Sequence, residues 1–169
     1  AMVAAVVLTF IVLLATTSIG WGPIPGWWKF STRDLPPVVN PGGAPTFSLS
    51  GGLTLGEHPF GQDNLGKDVF ALVMRGTQQS LLVMVIIGLL ATSIGIVMGS
   101  ISGFFRGRTD NILMRFTDMI ITIPVIMIGA ILGAWVGGAN PVTLAVALSF
   151  VTWTSMARLV RGEFLSLRE

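Results

Sequence analysis

The sequence predicts an all-α integral membrane protein, a polytopic helical bundle, and three observations carry that prediction. Hydrophobic residues make up 52% of the chain, charged residues 11%, and the mean hydropathy is +0.81, a balance too apolar for a soluble domain of 169 residues. Long uncharged apolar runs alternate with short polar or glycine-containing connections. Such runs, at about 1.5 Å per helical residue, are long enough to cross a hydrocarbon core roughly 30 Å thick. Along one of them small residues recur every four positions, the pattern of close helix contacts inside membranes.

Residues 1–20 form the first expected transmembrane helix. Met2 to Gly20 is uncharged, longer than the apolar region of a signal peptide, and lacks a small-x-small cleavage site before a polar mature start. Residues 21–79 are the one extended polar region, expected outside the membrane on the extracytoplasmic side. Pro23, Pro25, Pro36, Pro37, Pro41 and Pro45, with Gly42, Gly43, Gly51 and Gly52, exclude a long helix in its first part. From Gly66 to Met74 a short amphipathic helix is expected, with Val69, Phe70, Leu72 and Val73 sharing its apolar face. Asp63, Lys67 and Asp68 match neither an EF-hand loop nor a nucleophile with its base, so they read as a solvated or locally paired charge cluster.

Residues 80–104 form the second expected span. Ala91, Gly95, Gly99, Gly103 and Gly107 lie on one row and offer a flat ridge for another helix. Residues 105–111 make a turn bearing Arg106, Arg108 and Asp110, with Arg115 just beyond, whereas the connection 137–140 has no charge. The positive-inside bias makes the first turn cytoplasmic and the second external, and places Trp21, Trp27, Trp28 and Trp135 together at the outer aromatic belt.

Residues 112–136 form the third span. Arg115 and Asp118 share a face at a depth where charges must be paired or reach the interface, so they are expected either to anchor the helix end as a pair or to line a pathway or subunit contact. Pro124 should kink this span, and Gly129, Gly133 and Gly137 form a second packing row. Residues 141–160 form the fourth span, opened by Asn140-Pro141. Residues 161–169 begin a cytoplasmic region. Where the helix leaves the bilayer, Arg158, Arg161, Glu163, Arg168 and Glu169 accompany an apolar pattern that continues past the membrane edge, which suggests a protein contact.

Composition also excludes function classes. The net charge of +2 and pI near 9.9 arise largely from basic residues at the ends of apolar runs, so topology explains them without nucleic acid. With no cysteine and a single histidine, His58, neither a thiolate metal site nor a cysteine nucleophile is available. His58, before a proline in a polar loop, is expected to be a surface or packing residue. No glycine loop followed by Lys-Ser or Lys-Thr occurs, so no ATP site is expected in the chain.

Several motifs resemble one family. Phe60-Gly61-Gln62-Asp63-Asn64-Leu65-Gly66-Lys67-Asp68-Val69, Leu113-Met114-Arg115 with Asp118 and Pro124, and Trp153 followed by Ala157-Arg158-Leu159-Val160-Arg161-Gly162 to Leu167-Arg168-Glu169 resemble the second permease subunit of dipeptide, oligopeptide and nickel ABC importers. The resemblance spans about His58 to Glu169, with the motifs in the family's order and spacing. It implies the fold of an ABC importer permease and the first four helices of a six-helix subunit, with the family's coupling segment expected just after Glu169. It also implies a multi-pass protein of the bacterial plasma membrane, its N-terminus and its far end both cytoplasmic. The implied partners are a second homologous permease, two cytoplasmic ATPases carrying ATP and Mg, an extracytoplasmic substrate-binding protein, peptide cargo and membrane lipid. No catalytic residue and no cofactor are implied in this chain.

The sequence departs from the family at Gln62, where Thr is usual, at Lys67, where Arg is usual, and at Gly76-Thr77-Gln78, where Gly-Ala-Arg is usual. These departures are expected to bear on substrate or binding-protein preference. A non-transporting membrane scaffold whose 21–79 loop binds an outer partner is the alternative reading.

Overall fold

The structure is a computed structural model and describes residues 2–48, 54–135 and 140–167. Among the described residues five α-helices follow in order: α1 (Met2–Ser18), α2 (Val69–Phe105), α3 (Gly107–Ile121), α4 (Val125–Trp135) and α5 (Pro141–Ser166), with a 3-10 turn at Pro41–Gly43 between α1 and α2. Among the described residues, extended structure is limited to three isolated bridges, including Gln62 with Asp68. The chain divides into two compact units, Ala1–Ser80 and Leu81–Glu169.

Within the first unit, α1 is apolar and outward-facing, burying only Ala15 and Ser18. Its end is held by Gln78, whose Nε2 donates to the carbonyls of Ala15 (2.7 Å) and Gly20 (2.9 Å), groups that a helix terminus leaves without intrahelical donors. The loop is organised around Asp68, which caps α2: its Oδ1 accepts from the Ala71 N–H at 2.9 Å and from Trp28 Nε1 at 3.0 Å. Its Oδ2 lies 2.8 Å from His58 Nδ1, and both side chains are almost fully buried. Phe30 stacks on the imidazole, with ring centroids 4.1 Å apart. Two glycines allow the loop to close on itself. Gly43 (φ +71) and Gly61 (φ +85) occupy the left-handed region, and a Cβ on Gly43 would stand 2.1 Å from the Gln62 carbonyl oxygen.

The loop therefore corrects several expectations. Of the two expected alternatives, solvated or locally paired, Asp68 is not the solvated one: it is a buried cap that answers a helix N-terminus, an indole N–H and an imidazole together. His58 takes the packing alternative of its expectation, buried beneath Phe30. Only Asp63 behaves locally, its Oδ1 accepting from the backbone N–H of Leu65 and Lys67 in a turn. The expected short helix over 66–74 is the start of α2, and its buried face is Ala71, Met74 and Gln78 rather than Val69, Phe70, Leu72 and Val73. Trp28 is drawn into the Asp68 network, whereas Trp27 stays exposed.

In the second unit, Arg106 ends α2 with φ 52 and Gly107 opens α3 with φ 59. Two consecutive left-handed residues reverse the chain within a single residue between helices. The turn is thus shorter than 105–111, and Gly107 belongs to α3 rather than to the α2 ridge. The third expected span is broken: Ile123 N–H bonds the Ile120 carbonyl, Pro124 has no N–H to give, and α3 and α4 meet at 64°. The bend redirects the chain before the second glycine row, whose described members, Gly129 and Gly133, both lie on α4. A Cβ on Gly129 would make only ordinary contact with Leu148, 4.0 Å away, and one on Gly133 would meet open space, while Gly137 lies outside the described residues.

By length and composition, α2 and α5 can each cross a membrane, and the bent α3–α4 pair adds a third span if it counts as one. At 17 residues, α1 extends about 25 Å and stands beside these as a shorter apolar helix at the lower edge of spanning length. The spanning helices are barely covered by the rest of the chain, with 11% of the most apolar α2 window buried. A multi-pass membrane protein presents such faces to lipid and neighbouring chains.

Candidate functional site

The best-built constellation lies where the far ends of α2 and α5 meet the start of α3. Its base is a seam of small residues. A Cβ on Gly95 would stand 2.6 Å from Met156 Cβ, one on Gly99 would stand 2.5 Å from the Ala157 carbonyl oxygen, and one on Gly103 would stand 2.5 Å from Phe164 Cβ. These are distances no side chain tolerates, so α2 approaches the α5 backbone because those three positions are glycine. Ala91 continues the same face and forms a buried cluster with Trp153 and Ala157, packed about by Ile87, Ile94, Met98 and Ile120. Phe116 of α3 stacks on Trp153, with centroids 6.4 Å apart.

Above the seam, a polar clamp joins three helices. Asp110, in the first turn of α3, is buried and takes Arg161 of α5 as a fork: Nε donates to Oδ1 at 2.5 Å and Nη2 to Oδ2 at 2.6 Å. Ser102 of α2, itself fully buried, donates its hydroxyl to the same carboxylate. A two-point guanidinium–carboxylate pair fixes orientation as well as distance. Asp110 also complements the positive end of α3. The Arg161 and Asp110 side chains are 32% and 13% exposed, against 49% and 61% for a second pair, Arg158 with Asp118. Solvent screening leaves the second pair the weaker tie.

Asp118 thus has its partner on another helix. Paired with Arg115 it would have anchored only its own helix end, and Arg115 remains exposed. The two acidic residues of α3 meet the two arginines of α5 in reverse order, as antiparallel helices require. Eight residues on α3 rise about 12 Å and three on α5 about 4.5 Å, a difference that two long arginine arms absorb. Glu163 is exposed and Pro124 marks the helix break. Arg168 and Glu169 lie outside the described residues. The clamp through Ser102 and Asp110 was not anticipated. A usable signal existed, since Asp110 is the one acid in an otherwise basic turn and Arg161 sits three residues from Arg158.

Chemically, the constellation can hold helices but offers no nucleophile with its base. Among the described residues no group of three or more His, Cys, Asp or Glu is placed to hold a metal ion. The two family departures Gln62 and Gln78 are also buried and structural. Gln62 accepts from the Val39 N–H and donates to the carbonyls of Pro37 and Gly66, and Gln78 holds the end of α1. The expectation that they tune an outward-facing preference gives way to an internal role.

Residues 95–169 match the family model described as binding-protein-dependent transport system inner membrane component. The match begins at Gly95, the first glycine of the seam, and contains the whole clamp. Over 168 residues, 99% of this chain, the sequence is 33% identical to the oligopeptide transport system permease protein OppC of Bacillus subtilis, covering 50% of that protein. It is 36% identical over 112 residues to the dipeptide transport system permease protein DppC of Bacillus subtilis, with 66% of this chain and 35% of that protein aligned. It is 35% identical over 114 residues to OppC of Mycobacterium tuberculosis, with 67% of this chain and 39% of that protein aligned. The chain therefore spans half or less of the length of these relatives.

Proposed function

The chain belongs to the permease family of peptide-type ABC importers, and from that premise we propose that it serves as the membrane-embedded subunit of an ATP-driven importer of dipeptides or oligopeptides. In this reading it forms the translocation path together with a second homologous permease. Two cytoplasmic ATPases bind and hydrolyse ATP with Mg, and an extracytoplasmic binding protein delivers the peptide. The loop between α1 and α2 faces outward, and α1 starts in the cytoplasm, as does the region that follows α5. Arg115, Asp118 and Pro124 then belong to the moving wall or subunit contact, and Arg158, Arg161, Glu163, Arg168 and Glu169 to the side that meets the ATPases.

The observation that carries this reading is the clamp of Ser102, Asp110 and Arg161 over the glycine seam. A transport subunit must carry ATPase motion into its spans, and a bidentate tie between three helix ends moves them as one piece. The unequal exposure of the two ion pairs supplies one firm and one exchangeable contact, which differential contacts in inward and outward states require. The test is reconstitution of the full-length protein with its neighbouring permease, ATPases and binding protein in liposomes. Peptide-loaded binding protein is expected to raise ATP hydrolysis and to load the vesicles with peptide. Assembly of the same components with no peptide-dependent ATP hydrolysis and no uptake would overturn the proposal in favour of a scaffold.

A further inference from the structure

The first unit contains a cavity of about 380 Å³ that the transport reading does not use. It is walled by Ile19 at the end of α1, by Gly26 and the segment Trp28–Asp34, and by Arg75 on α2. Three cations, Lys29, Arg33 and Arg75, line it against one carboxylate, Asp34. The Asp34 Oδ2 already accepts the Ser31 N–H at 2.7 Å, and Lys29 is paired with Glu57 at 3.1 Å. Among the described residues, Arg75 donates only to the neutral amide oxygen of Gln78, at 3.1 Å. Among the described residues no carboxylate lies within ion-pair distance of Arg33 or Arg75. Two guanidinium groups, neither within ion-pair distance of the one lining carboxylate, leave the concavity net positive and favour an anion, and oxyanions with two or more free oxygens suit their planar fork.

The surroundings select which anion. The cavity is lined by Ile19, just past the end of α1, whose apolar side chains are exposed along almost its whole length, and by Gly26 and Trp28, the chain neighbours of Trp27, which is 60% exposed. An apolar helix followed by a loop bearing tryptophans and an arginine has the pattern of a membrane–water interface, where the abundant oxyanion is the phosphate of a lipid headgroup. We propose that this cavity binds the phosphate of an anionic phospholipid from the adjoining leaflet, with Arg33 and Arg75 as its two donors.

The test is thermal unfolding of the full-length chain in mild detergent, titrated with phosphatidylglycerol, with phosphatidylcholine and, separately, with inorganic phosphate. Phosphatidylglycerol is expected to raise the midpoint beyond phosphatidylcholine. Arg33→Gln with Arg75→Gln should abolish that excess, while the double lysine variant, which keeps both charges, should retain part of it. Arg33 is exposed, so Arg33→Gln alone stays informative if the double variant fails to fold. It should weaken the lipid response about five-fold. Equal responses to the two lipids, or an excess that survives the glutamine variants, would overturn the proposal. So would inorganic phosphate alone reproducing the shift, which would assign the cavity to a soluble anion instead. None of these outcomes depends on peptide uptake, so failure here leaves the transport reading standing.

Discussion

The loop unit and the helical seam are stabilised by opposite means. The loop buries polar side chains, His58, Gln62, Asp68 and Gln78, each answered by a specific hydrogen-bond partner, and its apolar interior is little more than Ala15, Ala71 and Met74. In the helical unit the buried hydroxyls of Thr117, Ser149 and Thr154 donate to carbonyls of their own helices, and the seam works by removing side chains, so that glycine and alanine on α2 meet α5 closely. A segment rich in proline and glycine cannot satisfy its backbone through a helix and must find partners one by one. A membrane helix satisfies its own backbone, so its contacts depend on how closely two such cylinders can approach.

That contrast is open to direct attack. The largest effect is expected from Asp68→Ala, which strands the Trp28 indole, the His58 imidazole and the Ala71 N–H at once. At about 1–3 kcal/mol for each buried group left unsatisfied, the loop should open and residues 21–68 should become sensitive to limited proteolysis while the helical fragment from α2 onward stays intact. Resistance equal to that of the wild type would mean that the loop does not depend on this hub. Gly99→Leu comes next. Overpacking of this kind costs about 1–3 kcal/mol, and it should lower the melting temperature of the detergent-solubilised protein without changing proteolysis of the loop. An unchanged melting temperature would break the backbone-contact account of the seam.

Within the seam, the two ion pairs allow a finer comparison. Asp110→Asn removes the forked pair and should destabilise by about 1–3 kcal/mol, and reversing charge at Arg161 should weaken peptide-stimulated ATP hydrolysis of the assembled transporter while membrane insertion is kept. Reversal at Glu163 is expected to act on coupling in the same direction through its place on the same helix. Normal stimulation in both reversals would remove this end of α5 from the coupling side. The smallest effect is expected at the more exposed pair: a double-mutant cycle on Asp118→Asn and Arg158→Gln should return a coupling energy below about 1 kcal/mol. A value matching that of Asp110 with Arg161 would erase the distinction between firm and exchangeable contacts.

The apolar runs, the two proline signals and the glycine spacing determined the membrane class, the helix order and the face by which α2 packs, because each depends on periodicity and backbone chemistry within a few turns of chain. Asn140-Pro141 likewise predicted where α5 begins, and Asn140 Oδ1 accepts the Val142 N–H as an N-cap. Other features were decided only by the tertiary structure: that Asp118 meets Arg158 rather than Arg115, that Asp110 joins Ser102 and Arg161, and that His58 and Asp68 form an interior hub. The 64° bend and the absence of close contact at Gly133 were decided there as well. A charge or a glycine has no preferred partner along the sequence. Which one it finds depends on how separate helices cross and on which donors a folded loop brings within about 3 Å, and that is set by the packing of the whole chain.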